Sequence, residues 1–147
     1  MTSGVGQSNT GFDNVSYSTH LAALKADATS ADDATADSFL PNSTTNPVNG
    51  STTIDVKTAN LRAVGLSGAP VVAGCGGRCD GLIDLNTHVT DIGSPGSNGQ
   101  FNLFATVEHE IDEVLGLGSS LPAMPFGTIL PEDLFRYDAH RPSELHH

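Results

Sequence analysis

Phe101-Asn-Leu-Phe-Ala-Thr-Val-Glu-His-Glu-Ile-Asp-Glu-Val-Leu-Gly-Leu-Gly118 is the stretch on which the reading of this chain turns. Phe104, Val107, Ile111, Val114 and Leu115 recur at three- and four-residue steps, which predicts an amphipathic helix with those residues on one inward face. Gly116 or Gly118 can take the left-handed conformation that ends such a helix. His109 and Glu113 are four residues apart, so their side chains stack one turn apart on the same face. An imidazole and a carboxylate held in that way are two donors for a divalent metal such as zinc. Glu110 stands beside the first donor. In the His-Glu-x-x-His pattern of zinc hydrolases, a Glu at that place takes a proton from the water that the metal activates. The pattern here is the same with the second His changed to Glu113. The competing reading is a solvated acidic face, because Glu108, Glu110, Asp112 and Glu113 are crowded together and charge runs usually face water. Against it, these carboxylates lie mid-helix rather than in the first turn, where they would complement the helix dipole. Four of them within six residues also repel one another unless a cation compensates.

The 147 residues suffice for one domain with a core and are too few for two. A net charge of -11 with only six Lys plus Arg argues against nucleic acid, which needs a basic face, and against anionic membrane surfaces. It suits a secreted or extracellular protein, and the acidic oxygens also suit calcium. No apolar run approaches membrane-spanning length, so no membrane insertion is expected. The start, Met1-Thr-Ser-Gly-Val-Gly-Gln-Ser8, lacks the charged-then-apolar pattern of an export signal; for a secreted chain, that segment is expected to have been removed. Glu144-Leu-His-His147 has the look of a purification-tag remnant, which takes His146 and His147 out of functional reasoning. The two cysteines lie in Gly74-Cys-Gly-Gly-Arg-Cys-Asp80. The glycines permit a tight loop, and a Cys75–Cys79 disulfide, implying an oxidising compartment, is the leading reading over a structural zinc.

Residues 1–14 are poor in apolar side chains and read as a flexible or extended lead-in. Residues 15–142 read as one domain, and 143–147 as the tag remnant. Ser16 or Ser18 caps a helix to about Asp27 with Tyr17, Leu21 and Leu24 inward. Ser30 starts a second helix, Ala31 to Leu40, whose first turn carries Asp32 and Asp33, and Pro41 stops it. Thr53 to Val56 and Leu82 to Leu85 read as strands, the second with Leu82 and Asp84 on one face and Ile83 and Leu85 on the other. Between them Thr58 caps a helix, Ala59 to Leu66. A last element starts at Pro131. His20 and His88 have no motif around them and are expected at the surface.

His109-Glu-Ile-Asp-Glu-Val-Leu-Gly116 and Asp133-Leu-Phe-Arg-Tyr137 together resemble two elements of bacterial secreted zinc metalloproteases associated with PEP-CTERM sorting signals. The active-site helix of that family reads His-Glu-Ile-Ser-Glu-Val-Leu-Gly, so Asp112 is a departure. The resemblance extends to Tyr17, Leu21-Ala-Ala-Leu24, Asp27-Ala-Thr-Ser30, Leu40-Pro41, the Ala59–Leu66 helix and the Asp80–Asn86 strand, nearly the whole chain in order. The cysteines at 75 and 79 are not part of the family pattern. The resemblance implies an α+β, zincin-like fold: several helices packed on a small mixed sheet with a central active-site helix. It implies a zinc-dependent endopeptidase acting on a protein or peptide substrate, with His109 and Glu113 as metal ligands and Glu110 as base, and the protein is expected to be a monomer.

A catalytic zinc normally has three protein ligands. In zincins with the longer motif the third lies three residues beyond the glycine, here Ser119, whose neutral hydroxyl is a poor ligand. Asp133, which opens the second family element, is the favoured third ligand; Glu132 and His140 are the alternatives, and a capping role for Asp133 is the competing structural reading. Met124 could lie under the metal and Tyr137 could support a developing oxyanion. Both residue types more often serve packing or structure. Leu82 to Asn86 could be an edge along which substrate adds as a strand. The rival to the enzyme is a non-catalytic secreted or cell-surface module whose acidic face binds calcium or only water.

Overall fold

A computed structural model of the chain describes residues 4–68, 72–92, 99–119 and 128–136. The order is β1 (Gly6–Thr10), β2 (Phe12–Ser16), α1 (Tyr17–Asp27), α2 (Ala31–Ser38), β3 (Thr53–Lys57), α3 (Thr58–Ala63), β4 (Gly81–Leu85), β5 (Thr90–Asp91), β6 (Phe101–Asn102) and α4 (Leu103–Leu115), with short 3-10 segments at Ala73–Cys75 and Pro131–Phe135. The class is α+β. The strands form three two-stranded ladders rather than the one small sheet expected: β1 with β4 and β2 with β3, both antiparallel, and β5 with β6, parallel. No helix among the described residues is long and apolar enough to cross a membrane.

Local chemistry explains most of these elements. The Ser16 hydroxyl accepts from the Thr19 N–H at the start of α1. Ser30 and Asp33 form a reciprocal capping box on α2, in which the carboxylate accepts from the Ser30 N–H, and those bonds hold the Asp33 carboxyl below its ordinary range. α3 begins without a side-chain cap because its N-cap is Lys57, not the expected Thr58. Cys75 and Cys79 are joined by a disulfide, as the loop suggested. Gly76 and Gly77, both with positive φ (66° and 70°), turn the backbone inside that ring.

The apolar core lies between α1, β3, α3 and the last 3-10 segment: Tyr17, Leu21, Leu40, Ile54, Val56, Leu61, Ile129 and Leu134. The lead-in is extended rather than flexible: residues 6–16 form β1 and β2, which run on through Gly11 and pair with β4 and β3. One expectation fails beside it. His20 is not at the surface. It is fully buried in α1, and neither ring nitrogen has a hydrogen-bond partner among the described residues.

α4 is not central to this core. It lies on the β1–β4 ladder, on the face carrying Gly6, Ser8 and Thr10 opposite Leu85, Ile83 and Gly81. Its inward face is therefore not the predicted apolar one. Glu110 is its one buried residue and Val107 and Val114 are half-buried, whereas Phe104 (69% exposed), Ile111 (41%) and Leu115 (53%) face outward. The reason is steric. A β-carbon on Gly81 would stand 2.5 Å from Val114 Cγ1, so the helix sits closer than a sheet of larger side chains would allow.

Two expected outcomes follow from this packing. Burial lowers the His20 pKa from 6.5 to about 4, so the folded state keeps the imidazole neutral. Its contribution is intact above pH 6.5 and is lost as the pH falls toward about 4. Urea unfolding across that window should show a loss on the order of 3 kcal/mol that is absent in His20→Leu. Gly81→Ala should lift α4 and cost about 1–3 kcal/mol. Adding Val114→Ala should recover part of that cost in a double-mutant cycle.

Candidate metal centre

The site begins with the ends of α4. The Asn102 side chain accepts from the Ala105 N–H at 2.9 Å and starts the helix. Gly116, at φ 95°, ends it in the left-handed conformation, with the Leu117 N–H returning to the Asp112 carbonyl at 2.9 Å. Lys57 adds a cation at that end by donating from Nζ to the Glu113 carbonyl, where the helix dipole is negative. Burial lowers the Lys57 pKa, and the charge of Glu113 opposes the shift. The Lys57 ammonium also stands 5.3 Å from the centre of the Phe12 ring.

Between those ends, His109 and Glu113 project together. His109 Nε2 and Glu113 Oε1 are 3.3 Å apart, with side chains 70% and 42% exposed. Two donors bound to one tetrahedral zinc, each roughly 2.0–2.1 Å from it, would be separated by about 3.3 Å. The separation of the pair matches one edge of a zinc tetrahedron, and no third donor stands with it among the described residues. The second oxygen, Glu113 Oε2, accepts from the Ser8 hydroxyl on β1 at 2.5 Å.

Glu110 turns the other way, toward the strand. It is 5% exposed, and a β-carbon on Gly6 would come within 2.5 Å of its Oε1. Only a glycine at that strand position leaves room for the carboxylate. No hydrogen bond engages that carboxylate among the described residues. His109 and Glu110 both line an open groove of about 470 Å³ with Val5, Gly6, Phe101, Asn102, Ala105 and Thr106.

The third-ligand candidates fare differently. No group of three or more His, Cys, Asp or Glu side chains converges on a common point among the described residues, so neither Asp133 nor Glu132 stands with His109 and Glu113. Asp133 is buried (1% exposed) and is the third residue of the last 3-10 segment, reaching back to its N-cap: Oδ2 accepts from the Leu130 N–H at 3.0 Å and Oδ1 from the Ser119 hydroxyl at 2.5 Å. Arg136 donates to the same hydroxyl at 3.2 Å. Asp133 is thus tied to Ser119, the residue three beyond Gly116. Tyr137, Met124 and His140 lie outside the described residues.

Ser8 and Lys57 are the contributors that sequence reasoning missed. Ser8 lies in Gly6-Gln-Ser-Asn-Thr10, which has no apolar alternation to mark a strand. Lys57 ends β3 and is one of only six Lys plus Arg in the chain, a faint signal at best.

Compared with known proteins, the chain matches no family model, no curated protein and no solved structure.

Asp133→Ala should leave the half-buried Leu130 N–H without its acceptor and lower unfolding stability by about 1–3 kcal/mol. A thermal melt unchanged from wild type would show that the capping bonds carry no weight.

Proposed function

We propose that the protein is a secreted zinc-dependent endopeptidase with a zincin-like site on α4. The observation that carries this reading is the 3.3 Å spacing of His109 Nε2 and Glu113 Oε1, close to that of two zinc ligands, with an unengaged carboxylate, Glu110, next to His109 in the groove that those two residues line. In this reading His109 and Glu113 hold the metal. No third His, Cys, Asp or Glu stands with them among the described residues, where Asp133 is held by the Leu130 N–H and the Ser119 hydroxyl. When bound, zinc would polarise the peptide carbonyl and make water nucleophilic near neutral pH. Glu110 takes the proton of the attacking water and returns it to the departing amine nitrogen. Its near-complete burial against Gly6 keeps bulk water from competing for that carboxylate. The groove between β1, β6 and α4 is where the scissile bond lies. β4 offers a second edge, unpaired among the described residues, for a peptide added as a strand. The disulfide supports an oxidising compartment.

The exposure of His109 and Glu113 favours one rival, a non-catalytic module with an acidic face that binds calcium or only water. Metal content separates the two. Tag-free protein dialysed against zinc-free buffer should retain about one zinc per chain by elemental mass spectrometry, against none in Glu113→Ala, the three-ligand norm being one catalytic ion. Calcium alone, or no metal in either protein, would leave the rival standing. On peptide substrates, Glu110→Gln should lower kcat by roughly 10²–10⁴-fold with zinc retained. Gly6→Ala, which displaces the same carboxylate, should lower kcat while zinc content stays unchanged.

A further inference from the structure

Glu110 is 5% exposed, and neither a hydrogen bond nor an ion pair engages its carboxylate among the described residues. A carboxylate so enclosed is costly unless a donor or a cation meets it. Neither of its oxygens is fully sealed, so a ligand can reach them through the groove that Glu110 lines. That groove, about 470 Å³ and open to solvent, lies between β1, β6 and the first half of α4. Val5, Ala105 and the ring of Phe101 (57% exposed) give it apolar walls. The lining selects among cations. No group of three metal-donating side chains converges among the described residues, so the groove offers a metal ion no ligand set. Phe101 is the one aromatic ring in the lining, too few for the cage that holds a quaternary ammonium. Oε1 is also hemmed in: a β-carbon on Gly6 would stand 2.5 Å from it and 2.9 Å from the Thr106 methyl. A guanidinium fork is matched to two open oxygens, whereas a primary ammonium donates well to one.

We propose that this groove binds a primary ammonium carried beside an apolar group, with the ammonium on Glu110 and the apolar part against Phe101, Val5 and Ala105. Clefts of this size, apolar with a few placed polar groups, are the usual form of a small-ligand site. The net charge of -11 favours the approach of a cation. Two sources share this chemistry: a small arylalkylamine, and the free N-terminus of a peptide that begins with an apolar residue. The second is also what hydrolysis of a peptide bond in this groove would release. The inference itself goes beyond the metal reading and needs no metal.

The test uses the full chain, isotope-labelled for NMR and kept in chelator at neutral pH, so that no metal contributes. Titration with phenethylammonium should move the amide signals of residues 5–6 and 101–110 saturably. Phenethyl alcohol, which carries a hydroxyl in place of the ammonium, should bind roughly 10–100-fold more weakly, the range for losing a hydrogen bond to a charged group. Glu110→Gln keeps the shape, removes the charge and should weaken phenethylammonium by as much. Phe101→Ser should weaken it several-fold. Leucyl-alanine amide should likewise outbind its N-acetyl form, and whichever of the dipeptide and phenethylammonium binds more tightly identifies the source. The ammonium and alcohol are compared on the wild type, so that comparison stands even if a variant fails to fold. Equal binding of the two, no saturable binding of phenethylammonium, or undiminished affinity in a folded Glu110→Gln would overturn the site.

Discussion

Everything around the site depends on the contact between a helix face that carries carboxylates and a strand face made of glycine and hydroxyl residues. A buried carboxylate is costly unless it finds donors or a cation. α4 brings Glu110 and Glu113 to the ladder, and the ladder answers with Ser8 for one and a gap at Gly6 for the other. Gly81 opposite Val114 lets the helix come close enough for that hydroxyl to reach. Larger side chains at 6, 8 or 81 would hold the helix off and leave Glu113 to the solvent. Phe104, Ile111 and Leu115 then point outward, because close approach at Gly6 and Gly81 sets Glu110 and Val114 against the ladder.

The molecule thereby divides its work. Stability rests on the apolar cluster of α1, β3, α3 and the last 3-10 segment, none of which includes α4. The site rests on α4 and the β1–β4 ladder. Among the described residues the halves are joined by the run from β1 into β2, which serves one ladder with each strand, by Lys57, which leaves β3 to meet the end of α4, and by Asn60 of α3 packed at Gly116. The exposed Arg62–Asp80 pair adds a further tie, from α3 to the start of β4, and such surface pairs contribute little on their own.

What was legible in the sequence follows this division. Elements of the apolar core announced themselves: Tyr17 and Leu21 on a capped helix, and Ile54 and Val56 in a short strand. α4 was legible as a helix, with its glycine stop, and the pairing of His109 with Glu113 followed from spacing alone. Its orientation was not, because apolar periodicity predicts the buried face only where the surface it meets is apolar. β1 was illegible for the same reason, since a strand whose inward residues are Gly6, Ser8 and Thr10 carries no hydrophobic period. His20 was misplaced because a lone histidine has no local signal of burial. Asp133 sits at a proline-led first turn, and its capping role could be read locally; its bond to Ser119 could not.

The Ser8–Glu113 bond spans 105 positions of chain. Contacts that distant close large loops and form late, after local elements have settled. During synthesis the N-terminal strand would emerge first and wait, its ladder partner β4 still unmade and α4 further behind. The apolar cluster also waits for Ile129 and Leu134, but α1, β3 and α3 can gather before them. The centre on α4 is accordingly among the last things the nascent chain completes. A chain still on the ribosome would hold the beginnings of a fold well before α4 met the hydroxyl of β1.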